Sequence, residues 1–134
     1  LETNGVKNVE YHFFPKPSAS VSLPELIKSD YAQVSNLLRN DSLDFILVDG
    51  IIRPACVLRS SPLLKKGGWL IIDDANHYLP GNSKAPNSRK IKDGPINIDW
   101  QEVQKELAGW EETWFGNGIK ETVIFHKPES IHIR

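Results

Sequence analysis

The sequence predicts an α/β fold whose sheet is mainly parallel and ends in an antiparallel hairpin. Two apolar runs, residues 45–48 and 69–72, lack polar alternation, as strands buried on both faces of a parallel sheet do. A helical segment separates the runs, and alternating strands and helices favour right-handed crossovers. Near the end, Asn117 and Gly118 form a strong hairpin signal between two strand-like segments.

The first elements are a strand and a helix. Residues 9–14 are rich in β-formers and are predicted to be the first strand, which Pro15 ends because proline offers no ladder donor. Residues 24–40 are predicted to be helical, because apolar residues such as Val34 and Leu38 recur at three- and four-residue steps.

The middle of the chain repeats the alternation of strand and helix. Residues 44–49 are apolar with an acid at each end, which predicts a buried strand, and Gly50 provides the turn that follows. Pro54 suits the first turn of a helix that runs to about residue 60. The lysines and glycines of residues 65–68 are typical of a helix end, and the strand at 69–72 follows them.

We expect residues 1–134 to form a single domain. Within it, residues 77–98 are predicted to be a long polar loop. A helix is predicted next, with Asp99 as its N-cap and Gly109 at its end. The strands of the hairpin are predicted at residues 112–115 and 119–125.

Composition excludes several classes of protein. The 16 Lys and Arg residues nearly balance the 17 Asp and Glu residues, so we expect no nucleic-acid partner. The longest apolar runs are far shorter than a membrane span, and no leader pattern opens the sequence, so we expect a cytoplasmic protein without a membrane partner. A single cysteine excludes an internal disulfide. Since the chain lacks methionine and opens on Leu1, we expect a larger protein to continue upstream.

Two segments resemble the class I S-adenosylmethionine-dependent methyltransferases. Residues 43–50 look like the fourth strand of that family, and residues 64–74 look like its fifth strand with the lead-in. The closing hairpin, with Gly-Asn-Gly at 116–118, is similar to the sixth and seventh strands, so the resemblance covers about residues 9–127. It implies a Rossmann-like three-layer sandwich, the cofactor S-adenosylmethionine, and methyl transfer to an unidentified small-molecule acceptor.

The sequence also departs from the family. It contains no glycine-rich cofactor loop and no segment for the ribose-binding acid. In the family the first two strands lie between the third and the fourth, so a third strand at residues 9–14 would have no neighbour here. We therefore expect the carboxyl-terminal part of a catalytic domain, incomplete at its N-terminus, which binds the cofactor poorly and is inactive by itself.

The carboxyl ends of the predicted parallel strands are where ligands bind in open α/β sheets. The resemblance implies that Phe14, Asp49 and Gly50 contact the cofactor, and that Asp49 is a catalytic residue of the crevice. The alternative for Asp49 is a purely structural one, in which its carboxylate caps the turn and helix that follow.

Four further residues are assigned to the acceptor, namely Arg53, Asp73, Asp74 and Tyr78. His77 is a candidate general base, because the pKa of histidine is near neutral. The alternatives are a surface ion pair for Arg53, a solvated strand end for the two acids, and an ordinary polar position for His77.

The acids also raise the question of a metal. Asp49, Asp73 and Asp74 match, position by position, the residues that hold a divalent cation in catechol-type O-methyltransferases, and such oxygen ligands suit Mg²⁺. We leave the metal unassigned and favour a site without one.

A second class of function stays open. The same partial fold could be a degenerate, non-catalytic module used for protein association, because an unpaired sheet edge invites a homo-oligomer. Another nucleotide-binding α/β enzyme would rest on fold analogy alone, since no phosphate-cradling loop is present. Cys56 lies on a predicted helix among apolar residues and is interpreted as a core residue.

Overall fold

A computed structural model describes residues 5, 7–18 and 21–130. In these ranges the chain forms four strands and three α-helices, together with short 3-10 turns. The strands are β1 (Leu43–Val48), β2 (Leu64–Ile72), β3 (Glu111–Gly116) and β4 (Glu121–His126), and the helices are α1 (Leu23–Ile27), α2 (Arg53–Ser60) and α3 (Ile98–Glu106). No helix of this part of the chain has the length and apolarity needed to cross a membrane.

The strands form one open sheet in the order β1-β2-β4-β3. β1 and β2 are parallel, with Phe45 opposite Trp69 and Val48 opposite Ile72. β4 runs antiparallel to both of its neighbours, β2 and β3. The α/β class is therefore confirmed, but one of the three pairings is parallel, so the described sheet is mixed rather than mainly parallel.

The predicted strand at residues 9–14 is wrong for the described structure. The segment has no regular secondary structure, and no backbone hydrogen bond of the described chain joins it to the sheet. β-forming residues make a strand only when an edge lies within hydrogen-bonding distance. Here a cleft separates residues 9–14 from β1, so these β-forming residues have no strand beside them with which to pair.

The single helix predicted for residues 24–40 is also wrong. α1 ends early, where the hydroxyl of Ser29 donates to the carbonyl oxygen of Leu26 at 2.6 Å. Serine hydroxyls that bond to nearby backbone compete with continued helix. The rest of the predicted helix is shortened to the 3-10 turn Gln33–Leu37.

The two faces of the sheet differ. One face packs against α2 and α3 and contributes to the main apolar cluster, whose fully buried members include Val57, Leu70 and Val103. On the other face Phe45, Leu47 and Phe115 are 63%, 64% and 56% exposed. Since no described helix packs on that second face, the predicted three-layer sandwich is not confirmed.

The polar loop between β2 and α3 is held by its own hydrogen bonds. The guanidinium of Arg89 donates to the carbonyl oxygens of Asp93 and Gly94, at 2.8 and 3.0 Å. α3 begins earlier than predicted, because Asn97 rather than Asp99 is its N-cap and accepts the backbone N–H of Trp100.

The hairpin is confirmed. The side chain of Asn117 accepts the backbone N–H groups of Ile119 and Lys120, and Gly118 has a φ of +86°, a conformation that favours glycine.

Candidate functional site

A cleft of about 480 Å³ lies at the carboxyl end of β1, and we call it the β1 cleft. Its lining comes from the segment before α1, from the turns after α1, from β1 with the loop that follows it, and from α2, which contributes Cys56 and Ser60. The lining residues used below are Tyr11, Phe14, Tyr31, Val48, Asp49 and Gly50.

The β1 cleft brings Phe14, Asp49 and Gly50 to one place. These are the residues that the resemblance assigns to the cofactor. Asp49 follows the last residue of β1, and its side chain is 52% exposed. At Gly50 a Cβ atom would lie 2.8 Å from the hydroxyl oxygen of Tyr31, so a side chain there would displace the tyrosine.

Arg53 ties the ends of β1 and β2 together. Its guanidinium donates to the carbonyl oxygens of Gly50 and Asp73, at 2.8 and 2.6 Å, and lies 3.3 Å from Oδ1 of Asp49. The arginine side chain is 14% exposed. The ion pair that the sequence left as an alternative is thus present. The proposed role of Arg53 toward a substrate would have to coexist with these bonds.

A second cleft of about 420 Å³ lies on the other side of Gly50, and we call it the Tyr78 cleft. The ring of Tyr78 stacks on Trp100, with centroids 4.8 Å apart and planes 8° from parallel. The guanidinium carbon of Arg53 lies 5.5 Å from the centroid of the same tyrosine ring, within the range of a cation–π contact. Lys16 also lines this cleft.

The backbone between the clefts is strained. Ile52 adopts the left-handed conformation, with φ +47° and ψ +39°, just before α2. For a β-branched residue this conformation costs on the order of 1–3 kcal/mol, and such strain clusters at functional sites.

Asp73 and Asp74 are directed toward β4 and its hairpin, and neither lines the two clefts. Oδ1 of Asp73 accepts the hydroxyl of Thr122 at 2.8 Å, and Oδ2 of Asp74 lies 3.6 Å from Nζ of Lys120. Asp74 is left-handed, with φ +51°, so the pair does not continue the strand. Their assignment to the acceptor stays a prediction.

His77 closes the short turn Ala75–His77. Its ring meets the ring of Tyr78 edge-on at 6.2 Å, and it lines neither the β1 cleft nor the Tyr78 cleft. The structure therefore does not bring His77 and Asp49 together, and a general base at His77 stays a prediction.

Among the described residues no group of three or more His, Cys, Asp or Glu side chains is placed to hold a metal ion. Of the three acids matched to the catechol-type enzymes, Asp49 lines the β1 cleft and Asp73 and Asp74 do not. Besides the Thr122 hydroxyl, however, a side-chain hydrogen bond with Asp49 contributes to the lowered pKa of Asp73. The metal therefore stays unassigned.

Two residues of this region could not be predicted from the sequence. Tyr31 lies within the predicted helix at residues 24–40, which does not form as one helix, and its hydroxyl lies against Gly50. Asn76 is 1% exposed and holds the loop to the hairpin through its side chain. Neither had a sequence signal, because each depends on contacts between distant segments.

Burial raises the pKa of the Cys56 thiol to about 11, which agrees with the interpretation of Cys56 as a core residue rather than a nucleophile.

We expect Thr122→Val to destabilise the protein in a pH-dependent way. The Thr122 hydroxyl is the main cause that holds the pKa of Asp73 below its ordinary value of 3.8. A lowered folded-state pKa stabilises the fold above the ordinary value, and this contribution is lost as the pH falls through the lower one. Valine cannot donate, so the variant should lose about 1 kcal/mol near neutral pH, which is less than the roughly 1.5–3 kcal/mol of a hydrogen bond to a charged group because this carboxylate is partly exposed.

Denaturant unfolding at neutral and strongly acidic pH tests this prediction. The difference between the wild type and Thr122→Val should shrink in acid. Thr113→Val, on the neighbouring β3, is the matched control, since Thr113 is exposed. Equal losses for both variants, or a loss independent of pH, would contradict the role given to the hydroxyl.

Comparison with protein-family models and with curated proteins finds no match. Among solved structures, the chain is similar to a structural-genomics target from Corynebacterium glutamicum, with 23% identity and a TM-score of 0.47 over 76% of this chain and 46% of that one. It is also similar to a protein described as a possible exported protein from Bordetella parapertussis, with 18% identity and a TM-score of 0.42 over 70% and 42%. The chain thus spans less than half the length of each. Likenesses at this level assign no family.

Proposed function

We propose that the chain is the carboxyl-terminal part of the catalytic domain of an S-adenosylmethionine-dependent methyltransferase acting on a small-molecule acceptor. The observation that carries the proposal is the β1 cleft, because Phe14, Asp49 and Gly50 meet there. The parallel β1-β2 pair and the antiparallel hairpin beside it also agree with the resemblance.

The β1 cleft has chemistry that suits this cofactor in part. S-adenosylmethionine supplies an electrophilic methyl group on a sulfonium cation, together with a flat purine. The aromatic rings of Tyr11, Phe14 and Tyr31 in the cleft could contact the purine, and the carboxylate of Asp49 could contact the sulfonium cation. Its volume lies within the range of about 300–1,000 Å³ typical of small-molecule sites. The glycine-rich loop and the ribose-binding acid are lacking, so the fit is incomplete.

The Tyr78 cleft is proposed as the acceptor side. It shares Gly50 and Ile51 with the β1 cleft, so ligands in the two clefts would approach each other across this loop. The stacked rings of Tyr78 and Trp100 would support a planar or apolar acceptor. Arg53 would act by fixing the position of Asp49, and holding reactants in line is a large contribution to a displacement reaction.

Titration of the chain with S-adenosylmethionine and with S-adenosylhomocysteine, followed by amide chemical shifts, tests the proposal. We expect weak binding, with dissociation constants on the order of a millimolar, or about −4 kcal/mol. The shifts should concentrate at Phe14, Asp49 and Gly50. Because S-adenosylhomocysteine lacks the sulfonium charge, we expect S-adenosylmethionine to bind about fivefold more tightly, since one ion pair at about 4 Å in water contributes about 1 kcal/mol.

Two matched variants locate the effect. Asp49→Asn should remove the preference for the charged cofactor. Asp44→Asn, at the opposite end of β1, should preserve it, because Asp44 pairs with Lys65 away from the cleft. Shifts absent up to about 10 mM ligand, or equal behaviour of the two variants, would refute a cofactor role for the β1 cleft.

The alternative is a non-catalytic module that acts in protein association. The exposed apolar face of the sheet, with Phe45 and Leu47 each more than half exposed, favours it. A chain that binds neither form of the cofactor but associates in solution would favour this alternative over the methyltransferase.

A further inference from the structure

β1 is an edge strand of the sheet, and among the described residues no backbone hydrogen bond outside the sheet reaches residues 45–47. Along a parallel ladder, alternate residues direct both N–H and C=O to the same neighbour. The carbonyl oxygen of Val48 accepts the N–H of Asp73, which follows β2. Val48 and Ile46 are therefore directed toward β2, and the backbone groups of Phe45 and Leu47 are directed toward the free edge.

This edge has few of the features that protect edge strands. Residues 45–48 contain no proline and no charge, and their register with β2 is regular. The side chains of Phe45 and Leu47 add two large exposed apolar groups beside the free backbone. Such an edge is a template for an added strand.

The same molecule contains a strand-forming segment without a sheet. In residues 9–14 the alternate residues Val9, Tyr11 and Phe13 are 60%, 62% and 73% exposed. The segment has no regular secondary structure, its alternate side chains Glu10, His12 and Phe14 contact one another, and no backbone hydrogen bond of the described chain joins it to β1. It lies instead across the β1 cleft from that strand.

We propose that two copies of this chain exchange these segments, so that residues 9–14 of each copy pair with the free edge of β1 of the other. Val9, Tyr11 and Phe13 then lie beside Phe45 and Leu47, on the face of the sheet that is otherwise open. Each β1 cleft keeps its floor at Val48–Gly50 and takes its aromatic wall from the second copy.

The exposed area favours a second copy as the occupant. With aromatic side chains of about 150–250 Å² each, the exposed parts of these five residues amount to roughly 550 Å² at one junction. Reciprocal exchange forms two junctions, so the dimer would bury about 1,100 Å² of side-chain surface, above the threshold of about 1,000 Å² for a specific interface. A one-sided contact would bury only half as much.

Sedimentation or light scattering over a concentration series up to about 200 µM tests the proposal. We expect a mass that rises from 15.1 kDa toward twice that value. Leu47→Pro removes an N–H of the free edge, and Tyr11→Ser combined with Phe13→Ser removes the apolar stripe of the exchanged segment. Each of these variants should be monomeric.

Mixing the two variants is the decisive step. Leu47→Pro retains an intact segment, and the double serine variant retains an intact edge, so an equimolar mixture can form one junction. Because this junction buries half the area of the wild-type dimer, the heterodimer should be weaker than the wild-type dimer and should raise the mean mass above that of either variant alone at the highest concentrations of the series. Pairing of β1 with β1, or stacking of the open sheet faces, would give no such rescue.

Controls keep the result interpretable. Leu47→Lys keeps the N–H but puts a charge in the apolar stripe, and it should also be monomeric. Circular dichroism of Leu47→Pro checks that the proline has not unfolded the strand. Phe115→Ser removes an exposed aromatic from β3 and should leave the dimer intact. A wild type that stays monomeric, a double serine variant that still dimerises, or an unrescued mixture would overturn the exchange. None of these outcomes depends on cofactor binding.

Discussion

Replacing Trp100 by alanine should lower the free energy of unfolding by about 3–5 kcal/mol, the usual cost of truncating a buried tryptophan. Trp100 is 3% exposed and lies on α3, where it packs into the main apolar cluster. Its ring also supports Tyr78 at 4.8 Å. The substitution removes both the area buried by the indole and the stacked surface of the tyrosine, and it leaves a cavity between α3 and the sheet.

Denaturant unfolding monitored by circular dichroism measures this loss. Trp69→Ala is the matched control, because Trp69 is 40% exposed on the open face of the sheet. We expect the control to cost clearly less. If the two substitutions were equally costly, the open face of the sheet would be as well packed as the core. The finding that described helices cover only one face of the sheet would then be wrong.

Asn76→Ala should cost about 1–3 kcal/mol, because it leaves the half-buried backbone N–H of Glu121 without this side-chain acceptor, while the hydroxyl of Ser88 keeps its bond to Ser83. The side-chain amide of Asn76 donates to the hydroxyl of Ser88 at 2.9 Å, and its carbonyl oxygen accepts the backbone N–H of Glu121 at 3.0 Å. One buried side chain thus connects the turn after β2, the polar loop and the start of β4.

Asn82→Ala is the matched control in the same loop, since Asn82 is exposed. It should change stability by less than about 0.5 kcal/mol. Hydrogen exchange adds a local measurement, because the amide of Glu121 should exchange faster in Asn76→Ala alone. Unchanged protection at Glu121 would show that Asn76 does not hold the hairpin to the loop.

The elements that could be predicted from the sequence are those with local signals. The apolar runs of β1 and β2, the helix that follows Pro54 and the Asn-Gly turn all appear near their predicted positions. The failures are nonlocal. Residues 9–14 have the composition of a strand, but only a partner at the right distance makes one, and the helix at 24–40 was cut short by the Ser29 side chain bonding to the backbone.

The residues of the candidate site likewise differ in whether a local sequence signal could place them. Asp49 and Gly50 could be placed at a strand end because they follow an apolar run, and Phe14 was placed there by resemblance. The direction of the Asp73 and Asp74 side chains could not be foreseen. It depends on a left-handed residue at Asp74 and on the partners Thr122 in β4 and Lys120 just before it, some fifty positions away in the chain.

The Arg53 guanidinium has a consequence for how the clefts respond to ligands. The backbone ladder between β1 and β2 stops near Val48 and Asp73, and beyond it the twist of the sheet would let the two chains separate. Arg53 donates to the carbonyl oxygens of both Gly50 and Asp73, so its side chain links the two chain segments where the backbone hydrogen bonds between the strands end. The loop that separates the two clefts is therefore preorganised. A ligand that binds in either cleft does not have to order this loop, because its conformational entropy was already lost when the chain folded.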